Sequence, residues 1–166
     1  MRALATLTGR AVVLGAAAFL ASLASTAAQA QASAAQLPSE EDAVLLQLQV
    51  KKYNLRNELR GYQTANGVCV DLADTILALD LPVRLDKKSR RATGWLFRED
   101  QTLTIDRDKN TVQIVNKERA LLPGEILDMP EGWCVDVKTL AGWLDITLTA
   151  NLYQSVLRLE SDRPLP

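Results

Sequence analysis

Gly67-Val68-Cys69-Val70-Asp71-Leu72 and Gly132-Trp133-Cys134-Val135-Asp136-Val137 are one short passage written twice, at a constant offset of 65 residues. The register continues: Leu79-Asp80-Leu81 falls on Leu144-Asp145-Ile146, and Val83 falls on Leu148. Each copy reads as turn, short strand, aspartate cap, short helix and strand. Asn66-Gly67 and Glu131-Gly132 supply the turns. Val68–Val70 and Trp133–Val135 favour extended backbone. Asp71 and Asp136 stand where a helix N-cap belongs, ahead of predicted helices at Leu72–Leu79 and Val137–Leu144. Leu72, Ile76, Leu79 and Val137, Leu140, Leu144 recur at helical spacing, so one face of each is apolar. Two turns of helix do not stand alone in water. Both helices must pack on a sheet.

Strands for that sheet are readable on either side. Ala43–Val50 alternates, with Leu46, Leu48 and Val50 against Gln47 and Gln49. Further β-favouring runs occur at Leu81–Leu85, Ala92–Phe97, Thr102–Ile105, Thr111–Val115, Ile146–Ala150 and Ser155–Leu159. These elements predict an α+β fold: two tandem β-helix-β repeats, with short antiparallel strands and two short helices on one face. The expected repeats cover about residues 43–116 and 117–160 of a single domain at residues 43–160, followed by a tail at 161–166.

The segment before that domain is an address. Arg2 and Arg10 form a positive region, Ala11–Ala24 an apolar one, and Ala28-Gln29-Ala30 a small-x-small cleavage pattern. Residues 1–30 are therefore expected to be a secretory signal peptide, and residues 31–42 (QASAAQLPSEED) a flexible leader. Cleavage removes two of the 19 basic residues, leaving 17 against 20 acidic ones and a net charge of −3. That balance offers no basic field for nucleic acid. No other stretch reaches membrane-spanning length. The expected location is the periplasm.

Composition narrows the chemistry further. The chain has no histidine, which excludes His-based triads and His-containing metal sites. Two cysteines cannot build a four-thiolate centre. Cys69 and Cys134 occupy one position in the two copies, and in an oxidising compartment a disulfide is favoured over two buried thiols. Asp106-Arg107-Asp108-Lys109-Asn110 copies the start of a calcium loop, but Thr111 and Lys117 replace its glycine and glutamate, so a hairpin turn is the better reading. Arg84, Lys87, Lys88, Arg90 and Arg91 form a cationic cluster. It is either a solvated hairpin tip or a possible binding tip for a polyanion. Trp95, Trp133, Trp143, Tyr62 and Tyr153 offer a sugar-stacking platform, with core burial the default for Trp133 and Trp143. No catalytic motif and no cofactor site assembles.

Val68-Cys69-Val70-Asp71-Leu72-Ala73-Asp74, with Leu77-Ala78-Leu79-Asp80-Leu81-Pro82-Val83, resembles the repeat of copper amine oxidase N-terminal-like stalk domains. Leu85-Asp86, Ala92-Thr93-Gly94-Trp95, Leu103-Thr104-Ile105-Asp106 and Arg163-Pro164-Leu165-Pro166 resemble the periplasmic N-terminal segment of usher-like outer-membrane proteins of Gram-negative bacteria. These resemblances imply an exported, non-catalytic module that supports or recruits, with no catalytic residues to transfer. Its cysteines stand where those repeats have tyrosine or another bulky residue. The implied partner is another envelope protein, engaged through sheet edges and loops. The alternatives are a module that binds cell-wall glycan or another polyanion, and an enzyme with a carboxylate-only site. The first expected outcome is proteolytic: N-terminal sequencing of the exported protein finds Gln31 first, because the three regions of a cleavable signal occur in order.

Overall fold

The structure is a computed structural model that describes residues 37–162. The expected signal peptide, residues 31–36 of the leader, and Arg163–Pro166 lie outside the described residues. A single 3-10 turn at Glu40–Asp42 opens the described chain, with the Asp42 carboxylate accepting from the Ser39 amide (2.8 Å) and hydroxyl (2.9 Å). Twelve strands and two helices follow among the described residues: β1 (Ala43–Val50), β2 (Tyr53–Thr64), β3 (Gly67–Asp71), α1 (Leu72–Ala78), β4 (Val83–Asp86), β5 (Arg91–Trp95), β6 (Thr102–Asp106), β7 (Thr111–Ile114), β8 (Lys117–Ala120), β9 (Ile126–Asp128), β10 (Trp133–Asp136), α2 (Val137–Leu144), β11 (Thr147–Asn151) and β12 (Val156–Glu160).

Both helices begin on the aspartates expected to cap them. Asp71 Oδ1 accepts from the Asp74 amide at 2.9 Å, and Asp136 Oδ2 accepts from the Thr139 amide at 3.0 Å. They also end alike. Asp80 (φ 50°) and Asp145 (φ 53°) turn the chain left-handed. The Leu81 amide then donates back to Ile76 O (2.9 Å), and Ile146 to Ala141 O (3.1 Å). Aspartate tolerates this conformation better than most residues with a side chain, which is why it can stand where glycine is usual.

The expected α+β architecture is wrong: the protein is a β-sandwich, not two tandem β-helix-β repeats. One sheet has seven strands in the order β11-β12-β1-β2-β3-β10-β9, and the other is a five-stranded meander β4-β5-β6-β7-β8. The strand after α1 enters the small sheet, whereas the strand after α2 joins the far edge of the large one. Nor are all strands short and antiparallel. β1 and β12 run parallel, and β2 is twelve residues long. Three strands were not anticipated: β2, β8 and β9. Leu46, Leu59, Val70, Val135, Leu157 and Leu159 of the large sheet share one buried cluster with Ala92, Leu103, Ile105 and Val112 of the small one. Leu72, Leu140, Trp143 and Leu144 bring the helices into the same cluster. That burial is what holds two barely two-turn helices in place.

At the centre of the large sheet β3 and β10 pair antiparallel, with Val70 opposite Val135, Cys69 opposite Asp136 and Asp71 opposite Cys134. Exchanging the two strands maps this register onto itself, so the like segments meet about a local two-fold. Cys69 and Cys134 are joined by a disulfide across it, with Cα atoms 5.3 Å apart. β2 lies so close on the other side that a Cβ at Gly61 would collide with the Cys69 carbonyl. The bond closes a loop of 65 residues. In the chain-entropy treatment it stabilises by about 4 kcal/mol. Replacing both cysteines with alanine is expected to lower the unfolding free energy by that order while leaving the circular dichroism spectrum native-like. Urea denaturation of the disulfide-bonded protein measures it.

Candidate functional site

A groove of about 570 Å³ runs beside the disulfide, lined by Leu45, Arg60, Tyr62, Met129, Glu131 and Cys134 among others. β1 and β2 supply Leu45, Arg60 and Tyr62, all positioned by strand alternation away from buried Leu46 and Leu59. The groove's polar groups are largely engaged with one another. Arg60 grips Asp74 through Nε–Oδ2 (2.7 Å) and Nη2–Oδ1 (2.9 Å), and passes 3.6 Å from Asp71. The Arg60 bond holds the Asp74 carboxyl below its usual range, while burial pushes the Asp71 carboxyl up. Tyr62 donates its hydroxyl to Glu131 at 2.9 Å, and burial together with that carboxylate raises the phenol's pKa. Among the described residues no cluster of three or more potential metal ligands occurs. The groove offers apolar surface with fixed polar ends, the makings of a contact surface.

The cationic cluster divides on folding. Arg90 bridges Asp108 and Asp128, each at 3.1 Å. Arg91 pairs with Asp106 at 3.2 Å, and Lys87 donates to the Glu131 carbonyl at 3.1 Å. Arg84 and Lys88 are exposed and form no ion pair among the described residues. Arg107, which the sequence alone does not single out, completes the Asp128 cluster at 3.0 Å with a side chain only 12% exposed. Burial raises the Asp128 carboxyl, but Arg107 and Arg90 outweigh it and leave the pKa lowered. This cluster ties the turns of the small sheet to β9. The calcium-like stretch is a hairpin turn: Asp106 accepts from the Asp108 and Lys109 amides at 3.1 and 3.0 Å, and Asn110 is left-handed.

The aromatic residues do not form one platform. Trp133 and Trp143 are buried, Tyr62 lines the groove, Tyr153 is fully exposed in the β11–β12 turn, and Trp95 is 40% exposed on β5. The sheet edges also differ. β8 is Lys-Glu-Arg-Ala, all exposed, and β4 carries Arg84 and Asp86. β9 has three residues, and its Ile126 carbonyl accepts from Arg107 at 3.5 Å. β11 is Thr-Leu-Thr-Ala-Asn, an uncharged edge that, among the described residues, pairs with β12 alone. No helix of the described residues is long and apolar enough to cross a membrane. No known protein family, curated protein or solved structure matches the chain.

The carboxylates of Asp74, Asp106 and Asp128 all have lowered pKa values in the folded state. The folded protein therefore binds fewer protons than the unfolded chain, and their stabilisation is complete above the usual value of 3.8 and lost as pH falls through the folded values. Asp71, shifted up by burial, acts in the opposite sense. Asp74→Asn is expected to destabilise by about 1 kcal/mol near pH 7, kept small because Arg60 is half exposed. The gap from wild type should narrow as pH falls below 3.8, because protonating Asp74 removes the charge that the substitution removes, as urea midpoints at neutral and acid pH will show.

Proposed function

We propose that this chain is an exported, non-catalytic module of the cell envelope that binds another envelope protein by accepting an extended segment of it alongside β11. The observation that carries this reading is the contrast among the four sheet edges. An unpaired edge presents free N–H and C=O groups, and proteins ordinarily protect such edges with charge, shortness or cover. β4 and β8 have charge, and β9 is short and occupied by Arg107. Among the described residues β11 carries no charge, is longer than β9 and pairs on one side alone, although α2 packs against it, and it is built largely from residues suited to strands. Main-chain pairing at such an edge supplies affinity, and alternate side chains supply selectivity. Leu148 and Ala150 are half-buried, whereas Thr147, Thr149 and Asn151 point outward.

The amino-terminal pattern supports export to the periplasm, and the disulfide suits an oxidising compartment. The resemblance to usher-like N-terminal segments and stalk repeats favours a supporting or recruiting role over catalysis.

A photo-crosslinking residue at Thr149, with one at Glu118 on the β8 edge as reference, tests the reading in exporting cells. The expected result is a covalent adduct with a second polypeptide from position 149 and none from 118. Equal labelling from both edges, or none from position 149, would refute it.

A further inference from the structure

The outward face of the five-stranded sheet has a composition unlike the rest of the surface. Val83, Ala92, Leu103, Ile105 and Val112 turn inward to the core. Strand alternation then sends their neighbours outward. The pairings align Arg84, Thr93, Thr104 and Gln113 in one row across β4 to β7, with Trp95 opposite Thr102 in the next. Among the described residues both helices pack against strands of the other sheet, and Arg84, Thr93, Trp95 and Thr102 on this face are exposed, with Thr104 and Gln113 half-buried. Trp95 is placed by a close approach: a Cβ at Gly94 would collide with the Pro82 carbonyl, so β4 lies tight against β5 just where the indole emerges.

The charges nearby are unevenly satisfied. Asp86 accepts from the Lys88 and Ser89 amides, and Asp106 is taken up by Arg91 and two turn amides. Arg84 forms no ion pair among the described residues, but its charge acts on Asp86 two residues along β4, and Lys88 stands in the turn beyond it. The acidic Glu118 stands at the opposite edge, four strands from Arg84. The face thus combines one broad apolar ring, a row of short hydroxyls with an amide, and at the β4 edge the exposed Arg84 with Asp86 two residues beyond it.

We infer that this face binds a carboxylate-bearing glycan strand of the cell wall. A sugar ring stacks on Trp95, ring hydroxyls meet Thr93, Thr104 and Gln113, and a sugar-borne carboxylate is held by Arg84. Trp95 and Arg91 are four residues apart on β5, about 13 Å along the strand, which is room for more than one sugar ring. A protein partner would want a contiguous apolar centre, and this face has a single large apolar ring among hydroxyls. Nucleic acid would want many more cations than two. The inference rests on the export reading above but not on the β11 edge, since the two surfaces belong to different sheets.

Co-sedimentation of the exported protein with purified peptidoglycan sacculi tests it. The wild type is expected to pellet with the sacculi, and Trp95→Ala to weaken binding by about tenfold. Arg84→Gln should weaken binding and remove most of its salt dependence, and as an exposed substitution it leaves the fold intact. Thr149→Lys, which alters only the β11 edge, should bind like wild type. Trp133 and Trp143 are buried, so iodide quenching of tryptophan fluorescence reads Trp95 directly. Soluble muropeptide should protect it. A wild-type protein left in the supernatant overturns the inference, as does undiminished binding by both Trp95→Ala and Arg84→Gln.

Discussion

The pairing of β3 with β10 is the constraint on which the rest of the structure depends. It places two like passages, far apart in sequence, side by side with Val70 facing Val135, and the disulfide fixes that register covalently. Sliding either strand by one residue would move every side chain to the other face, sending Val70 and Val135 out of the core. It would also separate the cysteines from bonding distance. Helices α1 and α2 start directly from the ends of these two strands, so their positions follow from the same register. β2 and β9 then extend the sheet on either side. A long-range contact of this kind is entropically expensive to form, and the covalent link removes much of that cost from the unfolded chain.

What the sequence discloses is local. The capping aspartates, the helices and β1 are all set by nearest neighbours, and α2 and β1 have the bounds expected of them. β2 escaped notice because Asn54, Arg56, Asn57, Glu58 and Arg60 break any apolar alternation; Leu59 is its only fully buried leucine. It is a strand because β1 and β3 hold it from both sides, not because its residues prefer to be extended. β8 and β9 are short and depend in the same way on neighbours. The fold class failed for a related reason: up to Leu81 and Ile146 the two passages are alike, and that like part does not say which sheet the next strand will enter.

The candidate sites show the same division. The cations at 84–91 are plain in the sequence, but their partners are not. Asp108 and Asp128 lie 18 and 38 residues beyond Arg90, and only folding brings all three together with Arg107. Charge clusters read from a linear sequence overstate what is available for binding, because the fold neutralises some members first. Here it uses Lys87, Arg90 and Arg91 internally, leaves Arg84 exposed opposite Thr93 and diagonal to Trp95, and leaves Lys88 exposed in the β4–β5 turn at the far end of the strand from that ring. The remaining positive surface is smaller than the linear cluster but better placed, since it adjoins an aromatic ring on the same open sheet.

The divergence of the two passages after their helices has a physical basis in single residues. Both helices end on a left-handed aspartate followed by a back-bonded apolar residue, Leu81 or Ile146. The next position is Pro82 in the first passage and Thr147 in the second. Proline has no N–H to give to a ladder and holds the residue before it extended, so the chain leaves the helix without joining the large sheet at that point. It starts pairing one residue later, at Val83, with β5. Thr147 keeps its N–H, and pairing with β12 begins at once, with Glu160 opposite. One passage therefore founds a second sheet with an open polar face, and the other ends the first sheet on an uncharged edge. The two surfaces proposed to bind partners arise from the same local motif, resolved differently by a proline and a threonine.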